Sequence, residues 1–304
     1  MKDTTPPGFP VLDTVTTTLN FFDARQPESN FRWTGSNGSE RPMNLTTPDP
    51  HQVVIHDMRA LSAAQREEMG LTLEKAGFEV VEGWGSGGEA LKADWEQGKW
   101  NDESWIEGTY YEYVKRMISE KFNAKTVAIY DYTIRKRTTT DVPQGKDGMA
   151  PVAPAQQVHI DQTYWAAIGR IRLHLGEDAA QRVLSGASIA RICNVWRPLV
   201  GPVYDRPLTA ADFRSLDFER DFKETLPAPP GCRTGESQMV RFHPDQRWYY
   251  LSKMATNEAL LLKCFDSGTG VRSPHSAFMD PTAPVDAEPR WSIEVRTISL
   301  VDVC

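Results

Sequence analysis

The sequence lacks several features that would place it in common classes of protein. It contains only four cysteines and no Cys-x-x-Cys pair, which argues against a zinc ribbon. No stretch approaches the roughly 20 consecutive apolar residues that a membrane-spanning helix requires. The N-terminal segment MKDTTPPGFPVLDTV contains no apolar run of the kind found in signal peptides. We therefore expect a cytoplasmic protein with reduced thiols and no membrane partner.

Two further absences narrow the possible functions. The net charge of −7 provides no basic excess, which argues against nucleic-acid binding because a basic face is needed to neutralise phosphates. The chain has no Gly-x-Ser-x-Gly elbow and no Cys–His arrangement typical of a hydrolase. What remains is an ordinary composition, with 40% hydrophobic and 25% charged residues, which predicts a folded chain with a sizeable core.

The N-terminal part of the chain mixes strand, loop and helix signals. TVTTTLNFF is rich in β-branched and aromatic residues and predicts a strand, whereas residues 36–52 are rich in turn formers and predict a loop. A helix is expected over residues 62–76, between a Ser62 cap and a stop at Gly77. FEVV follows as a short strand, and a second, aromatic-rich helix is expected over residues 102–121.

From residue 126 onwards short apolar segments dominate, separated by turns rich in Pro, Gly and Asp. The first, TVAIYDYTIR, alternates apolar and polar residues as a half-buried strand does. A predicted loop over 138–155 follows, and YWAAIGRIRLHLGEDAAQRVL predicts a helix. The remaining predicted strands are QQVHID, ASIARICNVWRPL, SQMVRF, RWYYLSK, ALLLKCFDS and RWSIEVRTISLVDV.

These elements predict a mainly β protein with flanking helices and a jelly-roll core. No internal repeat and no obvious linker divides the chain. We therefore expect one domain over residues 1–304. Residues 1–125 would supply an N-terminal strand and helical support, and residues 126–304 the jelly-roll core with the catalytic site.

His159-Ile160-Asp161 is the first group of residues with a chemical meaning. In an extended segment residues i and i+2 point to the same face, so His159 and Asp161 can reach one metal ion. A second histidine from a distant strand would complete a facial triad with open positions, which suits non-haem iron(II). The predicted third ligand is His275, in PHSAF, and the alternative is His243, in RFHPDQ.

Arg290 and Ser292 follow His275 and share one face of a predicted strand. A guanidinium with a hydroxyl beside it is well suited to a carboxylate, because the guanidinium donates two charge-assisted hydrogen bonds and the hydroxyl adds a third. The distal carboxylate of 2-oxoglutarate is the expected ligand. Arg296 lies on the same strand face and is the rival to Arg290.

Several longer segments resemble one family. VHIDQT, ARICNVWRPLVGPVYDRPL, RWYYLSKMATNEALLLKCFDS, PHSAF and PRWSIEVR are similar to a mainly fungal family of iron(II)/2-oxoglutarate-dependent oxygenases that includes gibberellin-desaturase-like and cephem-methoxylase-like proteins. The resemblance covers about residues 126–300. It implies a double-stranded β-helix core, Fe(II), 2-oxoglutarate and O2, and oxidation of a small molecule in secondary metabolism. Carried over by position, the metal ligands are His159, Asp161 and His275, and the 2-oxoglutarate anchor is Arg290 with Ser292.

The substrate is less well defined than the metal site. The expected substrate is a secondary metabolite or an amino-acid-derived molecule, and the expected reaction is hydroxylation, desaturation or oxidative cyclisation at a C–H bond. No catalytic residue beyond the metal ligands is required. The candidate substrate-binding residues are Tyr132, Arg135, Asn194 and Trp196, each weighed against core packing or a surface salt bridge.

Two other interpretations remain at this point. A cupin-like dioxygenase or isomerase would use the metal without 2-oxoglutarate, and a non-catalytic barrel would bind a small molecule without metal. The first predicts turnover without the keto acid, and metal analysis would identify the second. A homodimer could form through the N-terminal strand and helices.

Overall fold

The computed structural model describes most of the chain, and the fold is that of these residues. The described parts are 9–23, 25, 48–85, 88–136, 154–223 and 237–303. The predicted loop over 138–155 lies almost entirely outside them. Among the described helices, none is long and apolar enough to cross a membrane.

Strands make up the centre of the molecule. They are β1 Thr14–Phe22, β2 Pro48–Asp57, β3 Phe78–Glu82, β4 Thr126–Lys136, β5 His159–Ile160, β6 Ser188–Val200, β7 Leu208–Ala211, β8 Gln238–Met239, β9 Trp248–Tyr250, β10 Glu258–Asp266, β11 His275–Ala277 and β12 Trp291–Asp302.

The helices are short. They are α1 Ala63–Glu68, α2 Gly88–Glu96, α3 Glu103–Trp105, α4 Tyr111–Phe122, α5 Tyr164–Leu175, α6 Glu177–Leu184 and α7 Phe218–Asp221, with a π-helical turn at Ile106–Tyr110 and 3-10 turns at Met58–Ala60, Lys99–Asn101 and Phe213–Ser215.

The strands form two sheets. One has seven strands in the order β1-β2-β9-β7-β11-β5-β8, and the other has five in the order β3-β10-β6-β12-β4. In the five-stranded sheet the long strand β12 lies between β4 and β6 and pairs antiparallel with both. In the seven-stranded sheet β11 pairs antiparallel with β5 and β7. This arrangement confirms the predicted mainly β, jelly-roll architecture with flanking helices.

Three groups of buried apolar residues hold these layers together. One packs the aromatic residues of α2 to α4, such as Trp95 and Tyr110, on the outer face of the five-stranded sheet, where Val195 and Ile293 point. The second contains residues of both sheets, including Leu260 and Tyr249. The third packs α5 and α6 with residues of both sheets. Burial of these side chains supplies the main driving force for folding.

The predicted strands and the second predicted helix are present, whereas β7, β11 and α2 were not predicted, and three predicted segments differ. The predicted loop over 36–52 is wrong for residues 48–52, which belong to β2. Pro48 and Pro50 are tolerated there because β9 pairs only with Ile55–Asp57 of β2, so the missing N–H groups break no ladder on that side.

The other two differences are helix ends set by glycine. The predicted helix over 62–76 begins at the Ser62 capping box but ends at Glu68, because Gly70 takes a positive φ of 71° and turns the chain. The single predicted helix after Asp161 is divided into α5 and α6 by Gly176, whose φ is 92°.

Candidate active site

Two neighbouring strands bring the predicted metal ligands together. His159 on β5 lies directly opposite His275 on β11, and Asp161 follows β5 at once. Nε2 of His159 is 3.2 Å from Oδ1 of Asp161, and Nε2 of His275 is 4.0 Å from the same oxygen. One ligand atom from each residue lies within 4.8 Å of the other two. The three side chains can therefore face a single ion.

Hydrogen bonds fix the orientation of both imidazoles. Nδ1 of His159 lies 2.7 Å from the carbonyl oxygen of Gln157, and Nδ1 of His275 lies 3.2 Å from that of Ser273. With Nδ1–H donating to these carbonyls, each Nε2 keeps its lone pair for a metal.

The carboxylate of Asp161 is held from one side. Its Oδ2 accepts hydrogen bonds from Nδ2 of Asn194 at 2.6 Å and from Nε of Arg296 at 2.9 Å. Its Oδ1 faces the two histidines. Asp161 thus presents one oxygen towards the histidines while the other is occupied by the protein.

The charges of the three groups suit metal binding. Although burial favours the neutral acid, Arg296 and His159 hold the pKa of Asp161 well below its usual range. Burial and the neighbouring His159 lower the pKa of His275. Burial also opposes the protonation of His159, but the hydrogen bond and charge of Asp161 raise the pKa of His159 above its usual value. A metal would therefore compete with a proton chiefly at His159.

A small cavity extends from the two histidines to Arg290. We call it the triad cavity; its walls include His159, His275, Trp196, Leu208, Arg290 and Glu294. Arg290 is only 2% exposed, and its guanidinium lies 5.5 Å from the centre of the Trp196 ring. The cavity therefore joins the candidate metal ligands to a buried cation.

The hydrogen bonding of Arg290 and Ser292 is incomplete. One guanidinium nitrogen of Arg290 donates to the carbonyl of Arg206 at 2.7 Å, but Nε of Arg290 and Oγ of Ser292 have no partner among the described residues. Burial and the nearby charge of Arg135 lower the pKa of Arg290 to about 9. Because Arg290 is also a buried cation that lines the same cavity as both histidines, an anion that accepts hydrogen bonds would fit beside it.

Arg296, the rival to Arg290, is engaged elsewhere. Besides Asp161, it bonds Glu294, and its NH1 lies 2.8 Å from Oγ1 of Thr133 and 3.3 Å from a carboxylate oxygen of Asp131. The structure therefore separates the two arginines: one lines the triad cavity and the other holds acidic groups.

The four candidate substrate-binding residues lie in three different places. Arg135 and Trp196 line the triad cavity, whereas Asn194 contacts Asp161. Tyr132 does not lie at this site. Its ring packs edge-on against Tyr111 of α4, on the outer face of the five-stranded sheet, because Tyr132 lies opposite Val295 of β12, whose side chain also points outwards.

His243 is also placed apart from the triad. Its Nδ1 lies 3.4 Å from Asp245, and it lines a separate groove together with His56. The triad cavity in turn contains residues that the sequence reasoning missed, above all Glu294. The period-two spacing of Arg290, Ser292 and Glu294 along β12 is the signal that could have identified it.

Comparisons with known proteins agree with this geometry. The sequence family described as an oxidoreductase/YMDC permease-like domain matches residues 19–300. The Fe(II)/2-oxoglutarate-dependent dioxygenase nvfI of Aspergillus novofumigatus is 32% identical, over 90% of this chain and 86% of that protein. The hydroxylase/desaturase poxK of Penicillium oxalicum is 28% identical, over 99% of this chain and 95% of that protein.

A solved structure of the iron and alpha-ketoglutarate-dependent endoperoxidase NvfI superposes with a TM-score of 0.75. That pair is 29% identical and covers 95% of this chain and 98% of the other. The chain belongs to this family of iron(II)/2-oxoglutarate-dependent oxygenases. The predicted family, enzyme class and cofactors are confirmed, and the chain fits neither a cupin-like dioxygenase or isomerase that does not use 2-oxoglutarate nor a non-catalytic barrel.

Proposed function

We propose that His159, Asp161 and His275 hold iron(II), and that Arg290 with Ser292 binds the distal carboxylate of 2-oxoglutarate. The observation that supports this most directly is the triad cavity itself. Both histidines and the buried Arg290 line it, Nε of Arg290 has no partner among the described residues, and Oδ1 of Asp161 lies beside the two Nε2 atoms. Two imidazoles and a carboxylate are a ligand set for non-haem iron with open positions.

The residues around the site have separate tasks in this proposal. The carbonyls of Gln157 and Ser273 orient the imidazoles, and Arg290 supplies the charge that a dicarboxylate needs. Trp196 and Leu208 give the cavity apolar walls, which strengthens these charge interactions by excluding water. When bound, iron(II) and 2-oxoglutarate supply the oxidising chemistry with O2.

The substrate class follows from the relatives, whose names include hydroxylase/desaturase and endoperoxidase. We infer a small organic substrate, a secondary metabolite or an amino-acid derivative, that is hydroxylated, desaturated or cyclised at a C–H bond. Arg135 and Trp196 are the substrate-binding candidates that the placement supports, because both lie beside the proposed metal and co-substrate site. Asn194 would act through Asp161.

Further proposals concern the whole protein. We propose a single domain, and the pairing of the N-terminal strand β2 with β9 in one sheet supports it. A homodimer, a cytoplasmic location and the absence of a nucleic-acid partner stay predictions from the sequence.

The direct test is anaerobic titration of the metal-free protein with iron(II) and then with 2-oxoglutarate. A weak visible charge-transfer band should appear, because the keto acid meets a metal with open positions. Succinate should then form when oxygen and substrate are admitted. The same protein without added iron is the control. If iron-loaded protein gives neither the band nor succinate, the proposal is wrong.

A further inference from the structure

One face of β12 carries four polar side chains in alternation: Arg290 just before the strand, then Ser292, Glu294 and Arg296. Side chains two residues apart along a strand point to the same side. All four are at most 9% exposed. The face therefore places two arginines near the proposed iron position, with a buried carboxylate between them.

Glu294 is the unexpected member of this face. It lines the triad cavity together with His159 and His275, and it is 5% exposed. A carboxylate oxygen is a good ligand for iron(II), so a glutamate in this cavity is a potential fourth protein ligand. A fourth ligand would occupy a position that the keto acid requires.

Arg296 is placed to prevent this. Its NH2 forms an ion pair with Glu294, while its Nε donates to Oδ2 of Asp161 at 2.9 Å. NH1 bonds Thr133 at 2.8 Å, which fixes the plane of the guanidinium from the opposite side. A single guanidinium thus holds Asp161 and Glu294 in a fixed relative position, besides its longer contact with Asp131, and its planar arrangement of donors provides a geometry that a lysine ammonium lacks.

We propose that Arg296 is a positioning residue that keeps Glu294 off the iron, while it shares with Asn194 the task of holding the second oxygen of Asp161, so that the keto acid finds its coordination positions open. The inference rests on the proposed function of the site. It assigns Arg296 to the metal's surroundings and leaves co-substrate recognition to Arg290. The two arginines on one strand face can therefore be tested against each other.

The experiment compares Arg296→Met with Arg290→Met, using cobalt(II) as a coloured probe that binds in place of iron. Each protein is titrated anaerobically with 2-oxoglutarate and with pyruvate, which has the keto-acid group but no distal carboxylate. For Arg296→Met we expect retained cobalt and an affinity for both keto acids that is about 10- to 100-fold weaker, as is typical of changes around metal ligands. Arg290→Met should weaken 2-oxoglutarate alone.

A rescue variant separates positioning from general damage. In Arg296→Met, adding Glu294→Gln removes the released carboxylate, while Asn194 still holds Asp161. We expect the double variant to recover affinity for both keto acids. It should also recover the visible spectrum of the wild-type cobalt protein, since that spectrum depends on which ligands surround the metal. A merely structural role for Arg296 predicts no recovery.

The outcomes are distinct. Wild-type keto-acid affinities in Arg296→Met would overturn the inference, and so would a loss that Glu294→Gln does not reverse. If Arg296→Met does not fold, Arg296→Lys takes its place, with a smaller loss for both keto acids expected and an unchanged pair of affinities contradicting the inference. Failure of the proposed function looks different, because wild-type cobalt protein would then show no spectral response to either keto acid.

Discussion

Two groups of buried charged side chains differ in how completely they are paired. At the end of β10, Oδ2 of Asp266 accepts from Lys263 at 2.8 Å and from Arg191 at 3.2 Å. Its Oδ1 accepts from the backbone N–H groups of Gly268 and Thr269. Every oxygen of this carboxylate is satisfied within the protein.

The charged group along β12 is not fully hydrogen-bonded within the protein. Asp161, Glu294 and Arg296 satisfy one another, but Nε of Arg290 and Oγ of Ser292 have no partner in the described part of the chain. A buried polar atom left unpaired costs free energy, which a ligand that accepts its hydrogen bond would recover. The comparison teaches that the complete group around Asp266 can serve the fold alone, whereas the incomplete group lies beside the candidate metal ligands, where a ligand can complete it.

The largest expected effect is on turnover, in Asp161→Ala. Loss of the charged ligand should abolish activity and metal binding, because two imidazoles alone hold iron(II) weakly. The fold should persist, since Arg296 keeps its ion pair with Glu294. Iron content and succinate formation measure the first effect, and circular dichroism the second. Retained activity would show that Asp161 is not a ligand.

A substitution in the charged group around Asp266, whose hydrogen bonds are complete, should lower stability and leave binding unchanged. Asp266→Ala leaves the fully buried Lys263 without its main partner, which should lower the free energy of unfolding by about 3–5 kcal/mol. Affinity for 2-oxoglutarate should be unchanged in the folded protein. Urea denaturation measures the loss.

A matched control uses another partner of the same lysine. Glu74 is 55% exposed and lies 3.8 Å from Nζ of Lys263, so Glu74→Gln should change stability by less than about 1 kcal/mol. If Asp266→Ala were as mild as this control, or reduced keto-acid affinity, the contrast between the two groups would fail.

Local spacing explains which parts of the site could be predicted from the sequence. His159 and Asp161 are two residues apart in an extended segment, and so are Arg290 and Ser292, so period-two geometry alone pairs them. His275 required a further step, because its approach to His159 depends on the pairing of β5 with β11. Its position before the Arg290 segment was enough to choose it over His243.

The parts that escaped prediction depend on contacts between distant segments. Arg296 and Asp161 are 135 residues apart in sequence, and no local pattern announces that they bond. Tyr132 was predicted to bind substrate because it lies on the first core strand, but it lies opposite Val295 and its side chain packs on the outer face. In the fold, the strand at residues 48–52 depends on its partner β1, whose pairing overrides the turn-forming composition.

The smallest predicted effect is that of Ser292→Ala, which tests whether a residue of the incomplete group serves ligand binding or the fold. Ser292→Ala removes a buried hydroxyl that has no hydrogen-bond partner among the described residues, so the metal-free protein loses no hydrogen bond and its stability should not fall. The affinity for 2-oxoglutarate should drop by about 0.5–1.5 kcal/mol, the contribution of one hydrogen bond, whereas pyruvate binding should not change. Calorimetric titration of the metal-loaded protein with both keto acids provides the comparison. Lower stability with unchanged affinity would instead place Ser292 among the residues that serve the fold.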